Sequence, residues 1–213
     1  MKYVIGIDEV GRGPIAGPVA VGIFLLCEPT SVTGKKALQK IFKGVKESKQ
    51  LSEKKREEWF VHIETAQVKG HIDFAVEFES EKSIDKNGIS FCIKKCLERG
   101  LEKILTNPKR GFPSDFHHDN FLVLLDGGLK APEHFTHQKT IIKGDVKEPV
   151  IALASICAKV LRDRKMCLYA KKYPEYGFDI HKGYGTAAHY KAIKKHGIST
   201  LHRKSFLKGL KKA

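Results

Sequence analysis

The sequence has no long apolar run, no paired cysteine motif and, from Ile180 to Ala213, no acidic residue. Its longest apolar stretch, Val19 to Cys27, is far shorter than the about 20 residues of a membrane-spanning helix. The five cysteines form no Cys-x-x-Cys pair, which argues against a disulfide framework and a zinc knuckle. Charged residues interrupt the first apolar segment, unlike a secretory signal. We therefore expect a reduced, soluble, cytoplasmic protein with no membrane partner.

Two catalytic motifs are also missing from the chain. There is no Gly-x-x-x-x-Gly-Lys-Ser/Thr loop, which excludes a P-loop ATPase. There is no Gly-x-Ser-x-Gly elbow, which excludes that class of serine hydrolase. The chemistry must therefore come from other residues.

Positive charge dominates the composition, with 39 Lys and Arg against 24 Asp and Glu in 213 residues, a net charge of +15. Nine of the basic residues lie between Ile180 and Ala213, interleaved with Tyr184, Tyr190 and Phe206. Basic and aromatic side chains together are typical of surfaces that bind nucleic acid, which we expect as the partner in preference to the second choice, an anionic membrane surface. The alternative is a solvated basic tail that keeps the protein soluble.

Apolar patterns predict alternating strands and helices, which is the α/β class. The predicted strands are Tyr3 to Ile7, Val19 to Leu26, Ile72 to Phe78, Phe121 to Leu125 and Thr140 to Ile142. The predicted helices follow Ser52 and cover Ile84 to Leu101, Val150 to Lys172 and Thr186 to Gly197. We expect a catalytic core over residues 1–172 and a basic helical part over residues 173–213 that completes the substrate-binding surface.

Four carboxylates follow predicted strands: Asp8 and Glu9 the first, Asp126 the fourth and Asp145 the fifth. Residues just beyond strand ends line the crevice of an open α/β sheet. Carboxylates that converge there would need a cation, and oxygen ligands favour Mg²⁺ or Mn²⁺. Two such ions beside a basic surface suit phosphodiester hydrolysis. The alternative for each acid taken singly is a strand-end cap or an ion-pair partner.

Six motifs, in order, resemble the ribonuclease HII family, the type 2 ribonucleases H. The first is Asp8-Glu9-Val10-Gly11-Arg12-Gly13-Pro14, and the second is Ser48-Lys49-Gln50-Leu51. Leu125-Asp126-Gly127, Lys143-Gly144-Asp145 and the segment from Ala154 to Asp163 follow. The last runs from His181-Lys182-Gly183-Tyr184-Gly185-Thr186 through His189 to His202-Arg203-Lys204-Ser205-Phe206. The likeness extends from Tyr3 to Phe206. Related ribonucleases HIII normally lack Gly-Arg-Gly.

The resemblance implies an RNase H-like fold, a central mixed five-stranded sheet flanked by helices with a helical C-terminal extension. It implies endonucleolytic cleavage of RNA in RNA–DNA hybrids and nicking 5′ of single ribonucleotides in duplex DNA. Products would carry a 5′-phosphate and a 3′-hydroxyl, and the cofactor would be Mn²⁺ or Mg²⁺, with two ions during catalysis. Family members are expected to be monomers.

By the same resemblance, Asp8, Glu9, Asp126 and Asp145 are the catalytic acids, and the first three hold metal. Gly11, Arg12 and Gly13 resemble a loop whose backbone senses the ribose 2′-hydroxyl, which glycine lets it approach closely. Tyr184 resembles a tyrosine that packs on the neighbouring deoxyribose, and Lys49 resembles a phosphate-binding lysine. Glu47 replaces the usual aspartate, and segments 28–46 and 103–120 look longer than typical.

Several interpretations stay open at this stage. Ser155, Lys159 and Arg162 recur at helical spacing, which phosphate contact and helix packing explain equally well. Asp163 either approaches the metal site or pairs with a basic neighbour. The functional alternative is a non-catalytic nucleic-acid-binding protein on the same fold. The intact set of acids favours the enzyme, because a pure binder has no reason to face phosphates with carboxylates.

Overall fold

The computed structural model describes residues 3–27, 45, 51–70, 72–108 and 117–209. Lys49 and the segment 28–46, apart from residue 45, lie outside the described residues. Five strands form one sheet. They are β1 (Tyr3–Val10), β2 (Val19–Cys27), β3 (Ile72–Glu79), β4 (Phe121–Asp126) and β5 (Gln138–Ile141).

The strands lie in the order β3-β2-β1-β4-β5. Strand β1 is antiparallel to β2, with Asp8 opposite Gly22, and parallel to β4, with Ile7 opposite Leu125. The β2–β3 pair is antiparallel and the β4–β5 pair is parallel. The predicted mixed five-stranded sheet is confirmed.

Helices flank the sheet on both faces. They are α1 (Glu53–Val68), α2 (Glu81–Asn87), α3 (Ile89–Leu105), α4 (Gly144–Lys147), α5 (Pro149–Lys172), α6 (Phe178–His181) and α7 (Ala187–His196). The helix predicted over Ile84 to Leu101 is in fact two helices. Gly88 separates them with a φ of 83°, a left-handed conformation that ends one helix before the next begins.

Alternating side chains of the sheet supply two hydrophobic cores. On one face, Ile5, Ile7 and Ile23 pack in a cluster with Cys92 and Leu97 of α3. The other face carries a second cluster that joins β2, α1 and α5 through Phe24, Phe60, Ala152, Ala154 and Cys157. Successive side chains of a strand point to opposite faces of the sheet, and those of β2 enter one cluster or the other. Both faces of β2 are therefore buried.

Helix α5 lies directly against the backbone of two strands. A Cβ atom added at Gly6 would lie 2.3 Å from the backbone of Val150, and one added at Gly22 would lie 2.2 Å from the Ala154 carbonyl oxygen. Only glycine leaves room for this approach. The helix is therefore held at a fixed depth over β1 and β2.

The C-terminal part packs on the end of α5 and on the loop after β1. A third apolar cluster joins Met166 of α5 to Tyr176, Phe178, Ile193 and Leu201. The backbone amide of Gly17 donates to the Leu201 carbonyl at 2.8 Å. The division at residue 172 stays a prediction, and α5 ends at Lys172. Within the described ranges, no helix is both long and apolar enough to cross a membrane.

Candidate active site

Asp8 and Asp126 lie side by side on neighbouring strands. Their positions are one residue beyond the Ile7–Leu125 pair of the parallel β1–β4 ladder. Asp126 is the last residue of β4, whereas Asp8 and Glu9 lie within β1 and not after it as predicted, because β1 continues to Val10. The extra length of β1 is paired with β2, from Asp8 opposite Gly22 to Val10 opposite Ala20.

Asp8, Glu9 and Asp126 line a pocket of about 390 Å³. Residues from β1 and its loop, α1, β4, α5 and the C-terminal part line it: Asp8, Glu9, Val10, Gly11, Arg12, Gly13, Arg56, Asp126, Ser155, Ile156, Lys159 and Tyr184. Three of the four predicted catalytic acids, all three glycine-loop residues and Tyr184 therefore share one pocket. Arg12, Arg56 and Lys159 add basic side chains to the same pocket.

The carboxylates in the pocket disfavour one another's charge. Burial raises the pKa of Asp8 to about 8, and the nearby charges of Asp126, Glu9 and Asp145 add to this rise against a hydrogen bond from Ser155. Burial also raises the pKa of Glu9, which Arg12 counters by donating from Nη1 to Oε1 at 3.1 Å. A bound cation would remove this repulsion.

The structure places Asp145 differently from the sequence prediction. Strand β5 ends at Ile141, and Asp145 lies fully buried in the short helix α4 and does not line the pocket. The amide of the adjacent Gly144 donates to Asp126 Oδ1 at 2.6 Å. Lys143 enters this turn with a φ of 56°. The segment thus orients the Asp126 carboxylate, and Asp145 acts on Asp8 through its charge.

The donor set fits a hard divalent cation. Asp8, Glu9 and Asp126 offer only oxygen atoms, which Mg²⁺ and Mn²⁺ prefer. Among the described residues, no three His, Cys, Asp or Glu side chains are arranged to hold an ion by themselves. Mg²⁺ is usually bound by one or two carboxylates, with water and substrate phosphate completing its shell. The pocket, with a few carboxylates and open space for water and phosphate, suits an ion bound in this way.

Asp163 pairs with two basic residues of the pocket, which settles one of the open alternatives. Its carboxylate accepts from Lys159 Nζ at 2.8 Å and lies 3.8 Å from Arg56 Nη2. Asp163 itself does not line the pocket, whereas Ser155 does. Sequence reasoning missed Arg56, because a basic residue in a charged surface helix carries no local signal of a site.

The glycine loop and Tyr184 face each other at one end of the pocket. A Cβ atom added at Gly13 would lie 3.9 Å from Tyr184 Cε1, and the Tyr184 side chain is 44% exposed. Gly11 has a φ of 87°, and a Cβ there would lie 2.2 Å from Arg162 Nε, so no larger residue fits. Arg162 is therefore a buried packing residue beneath the loop.

Comparisons with known proteins show the family to which this chain belongs. The family model described as Ribonuclease HII matches residues 5–208. A ribonuclease HII of Endomicrobium trichonymphae is 42% identical over 204 residues, 95% of this chain and 84% of that relative. The chain belongs to the ribonuclease HII family.

Solved structures agree with this family assignment. The ribonuclease H2 of Pyrococcus horikoshii OT3 has a TM-score of 0.65 and 25% identity, covering 95% of this chain and 93% of that one. A ribonuclease HIII solved in complex with Mn²⁺ has a TM-score of 0.64 and 17% identity, over 96% of this chain and 64% of that one. The RNase H-like fold is confirmed, and membership of this family makes the chain an enzyme of the ribonuclease H class of nucleases, not a pure binding protein.

Two buried histidines, His189 and His202, lie beneath Tyr184 and hold its backbone. His189 Nδ1 lies 2.8 Å from the Tyr184 carbonyl oxygen, and His189 Nε2 lies 3.1 Å from His202 Nε2. His202 Nδ1 accepts from the Ser199 amide at 2.9 Å. One proton between the two Nε2 atoms satisfies all of these contacts, so both rings are neutral and His189 donates to Tyr184.

We expect these histidines to make the protein less stable in acid. Burial lowers the pKa of both His189 and His202 to about 4, below the usual 6.5, so the unfolded chain binds more protons between these values. The free energy of unfolding should therefore fall as pH decreases from 6.5 to 4. In His202→Gln the pH slope should be about 1 kcal/mol per unit shallower than in the wild type. Thermal unfolding at several pH values checks this, and parallel curves would contradict it.

Proposed function

We propose that this protein cleaves the RNA strand of RNA–DNA hybrids and nicks duplex DNA 5′ of a single ribonucleotide, by two-metal-ion phosphodiester hydrolysis. The products would carry a 5′-phosphate and a 3′-hydroxyl. The observation that carries the proposal is the adjacency of Asp8 and Asp126 in a pocket shared with the glycine loop and Tyr184. One pocket then holds the acids proposed to bind metal, the basic residues proposed to bind phosphate and the loop proposed to approach the ribose.

In this proposal Asp8, Glu9 and Asp126 bind the divalent cations, and Asp145 adds negative charge behind them. The raised pKa of Asp8, caused mainly by burial and further by the charges of Asp126, Glu9 and Asp145, supports this assignment. Bound Mg²⁺ or Mn²⁺ would supply a nucleophilic water at neutral pH and stabilise the leaving oxygen. The Mn²⁺ complex of the ribonuclease HIII neighbour is in line with such ions.

Basic residues would bind the phosphates on either side of the cleaved bond. Lys159 and Arg56 are held at the pocket by Asp163, and Arg12 is held by Glu9. Lys49, outside the described residues, is proposed for a neighbouring phosphate on the family resemblance. Gly11, Arg12 and Gly13 would approach the 2′-hydroxyl, and Tyr184 would pack on the next deoxyribose.

The test is a DNA duplex with one embedded ribonucleotide and a 5′ label. We expect one nick on the 5′ side of the ribonucleotide in Mg²⁺ or Mn²⁺ and none in EDTA. The same duplex without the 2′-hydroxyl should stay intact. A product that DNA ligase reseals directly would carry the expected ends. Nicking that persists in EDTA, or ends with a cyclic phosphate, would contradict the two-metal mechanism.

Replacing Tyr184 tests recognition of the RNA–DNA junction. Stacking on a nucleotide contributes about 1–3 kcal/mol, so Tyr184→Ala should slow cleavage at a lone ribonucleotide about tenfold or more. Affinity for plain DNA should change much less, and Tyr184→Phe should retain most activity. Tyr190→Ala is the matched control, because Tyr190 is 39% exposed, is close in sequence and does not line the pocket. Equal losses in cleavage and DNA affinity would argue against a junction role.

A further inference from the structure

Arg203 is buried beneath the glycine loop and binds its backbone with all three guanidinium nitrogens. Nε donates to the Gly17 carbonyl at 2.9 Å, Nη1 to the Arg12 carbonyl at 3.1 Å and Nη2 to the Gly11 carbonyl at 2.7 Å. The side chain is fully buried, and its guanidinium lies 5.2 Å from the ring centroid of Phe206. A residue near the end of the fold thus holds a loop near its beginning.

The guanidinium has no carboxylate partner, since no ion pair within the described ranges includes Arg203. Its neighbour Arg162 is also buried and also binds carbonyls, those of Pro18 and Lys182. Burying a cation without an ion-pair partner is unfavourable, and the hydrogen bonds to the loop, together with the Phe206 ring, offset that cost. A lysine could not replace it, because a single ammonium lacks the planar fork that spans three carbonyls.

These hydrogen bonds fix which way two peptide groups face. No peptide bond among the described residues is cis, so each carbonyl and the amide that follows it point in opposite directions. With the carbonyls of Gly11 and Arg12 directed to Arg203, the amides of Arg12 and Gly13 are directed away from it. Residues Gly11 to Gly13 line the pocket, and neither amide has a hydrogen-bond partner among the described residues.

We propose that Arg203 is a positioning residue that turns the Arg12 and Gly13 amides toward the substrate and so gives the pocket its preference for a ribonucleotide. This inference rests on the proposed function, in which the loop approaches the 2′-hydroxyl. The hydroxyl can accept from an amide, whereas a deoxyribose offers no oxygen at that position.

The first experiment compares affinities for two duplexes in EDTA, one with a single ribonucleotide and one of DNA alone. Arg203→Lys should weaken binding of the ribonucleotide duplex about tenfold and leave binding of the DNA duplex unchanged, so the preference disappears. Arg164→Lys is the control, because Arg164 lies on the exposed side of α5 and pairs with Glu57. Its preference should equal that of the wild type.

The outcomes separate this inference from the proposed function. If the wild type prefers the ribonucleotide and folded Arg203→Lys keeps the same preference, the role of Arg203 is wrong and the proposed function stands. If the wild type itself shows no preference, ribose recognition by the loop is wrong, and the inference falls with it.

A second measurement needs no variant, so it remains available if Arg203→Lys does not fold. It tests whether the Arg12 and Gly13 amides face the substrate. In the wild type, the Arg12 and Gly13 amides should exchange with solvent rapidly, because they face the open pocket. The ribonucleotide duplex should slow their exchange about tenfold more than the DNA duplex does. Equal protection by the two duplexes would overturn the proposal.

Discussion

Asp8→Asn is expected to slow cleavage by about three orders of magnitude or more. The amide keeps the shape of the side chain and removes one of the charges that would hold the cations. Bound metal contributes several kcal/mol of transition-state stabilisation, and each 1.36 kcal/mol is about a factor of ten in rate. Single-turnover cleavage of the embedded-ribonucleotide duplex measures the effect. Wild-type rates in this variant would remove Asp8 from the mechanism.

The same variant should be more stable than the wild type in the absence of metal. The folded pKa of Asp8, about 8, lies above its usual 3.8, so its contribution to stability is lost as pH rises through 8. The advantage of Asp8→Asn should therefore grow from pH 5 to pH 9 and reach about 1 kcal/mol or more, which is about 2–4 °C in melting temperature.

Asp73→Asn is the matched control for this change. Asp73 is also buried, but its carboxylate accepts from Gln67 Nε2 at 2.6 Å, the Phe74 amide at 2.9 Å and Asn107 Nδ2 at 2.8 Å. Losing a well-bonded carboxylate should lower stability and leave the chemistry intact. If Asp8→Asn raises the free energy of unfolding and Asp73→Asn lowers it, the destabilising burial of a carboxylate is specific to the candidate active site.

Gly22→Val is expected to lower the free energy of unfolding by about 3 kcal/mol or more. A Cβ atom there would lie 2.2 Å from the Ala154 carbonyl oxygen and 3.1 Å from the Ala158 Cβ atom, so α5 must move outward. Overfilling a packed interior costs about 1–3 kcal/mol, and backbone cannot yield as a side chain does. Urea or thermal unfolding measures the loss.

Activity should fall together with stability, because α5 carries Ser155 and Lys159 into the pocket. Gly209→Ala serves as the control for adding a side chain, since a Cβ atom there meets nothing within 4 Å. Its stability should stay within about 0.5 kcal/mol of the wild type. A similar loss in both variants would mean that the contact with α5 is not the cause.

Local patterns were sufficient to predict the five strands and the meeting of two acids, whereas the mixed five-stranded sheet was implied by the family resemblance. Alternation and apolar runs placed all five strands, and carboxylates at the ends of β1 and β4 predicted the meeting of Asp8 and Asp126. Helix α7 was predicted from its caps, and Thr186 does accept from the His189 amide at 3.2 Å. These features depend on residues close in sequence or on a regular strand ladder.

Other features depend on contacts that no local pattern encodes. The break at Gly88 was missed because the apolar stripe continues across it. Asp145 follows β5 as predicted, but its full burial outside the pocket was not predicted, because β5 stops one residue earlier than predicted and α4 turns the chain inward. The role of Arg203 depends on carbonyls 186 to 192 residues away. Arg203 binds main-chain carbonyls, which every residue has. The residue types of its partners therefore give no sign of the contact in the sequence.

The hydrogen bonds that join the segment 11–17 to Leu201 and Arg203 also affect when the site can form during synthesis of the protein. Ribosomes make the segment 11–17 early, but Leu201 and Arg203, which hold it, are among the last of the described residues to be made. A growing chain can pair β1 with β2 while this loop still lacks its support. Nuclease competence should therefore arise only after the chain has been made as far as Arg203, so a shorter growing chain is not expected to cut nucleic acid.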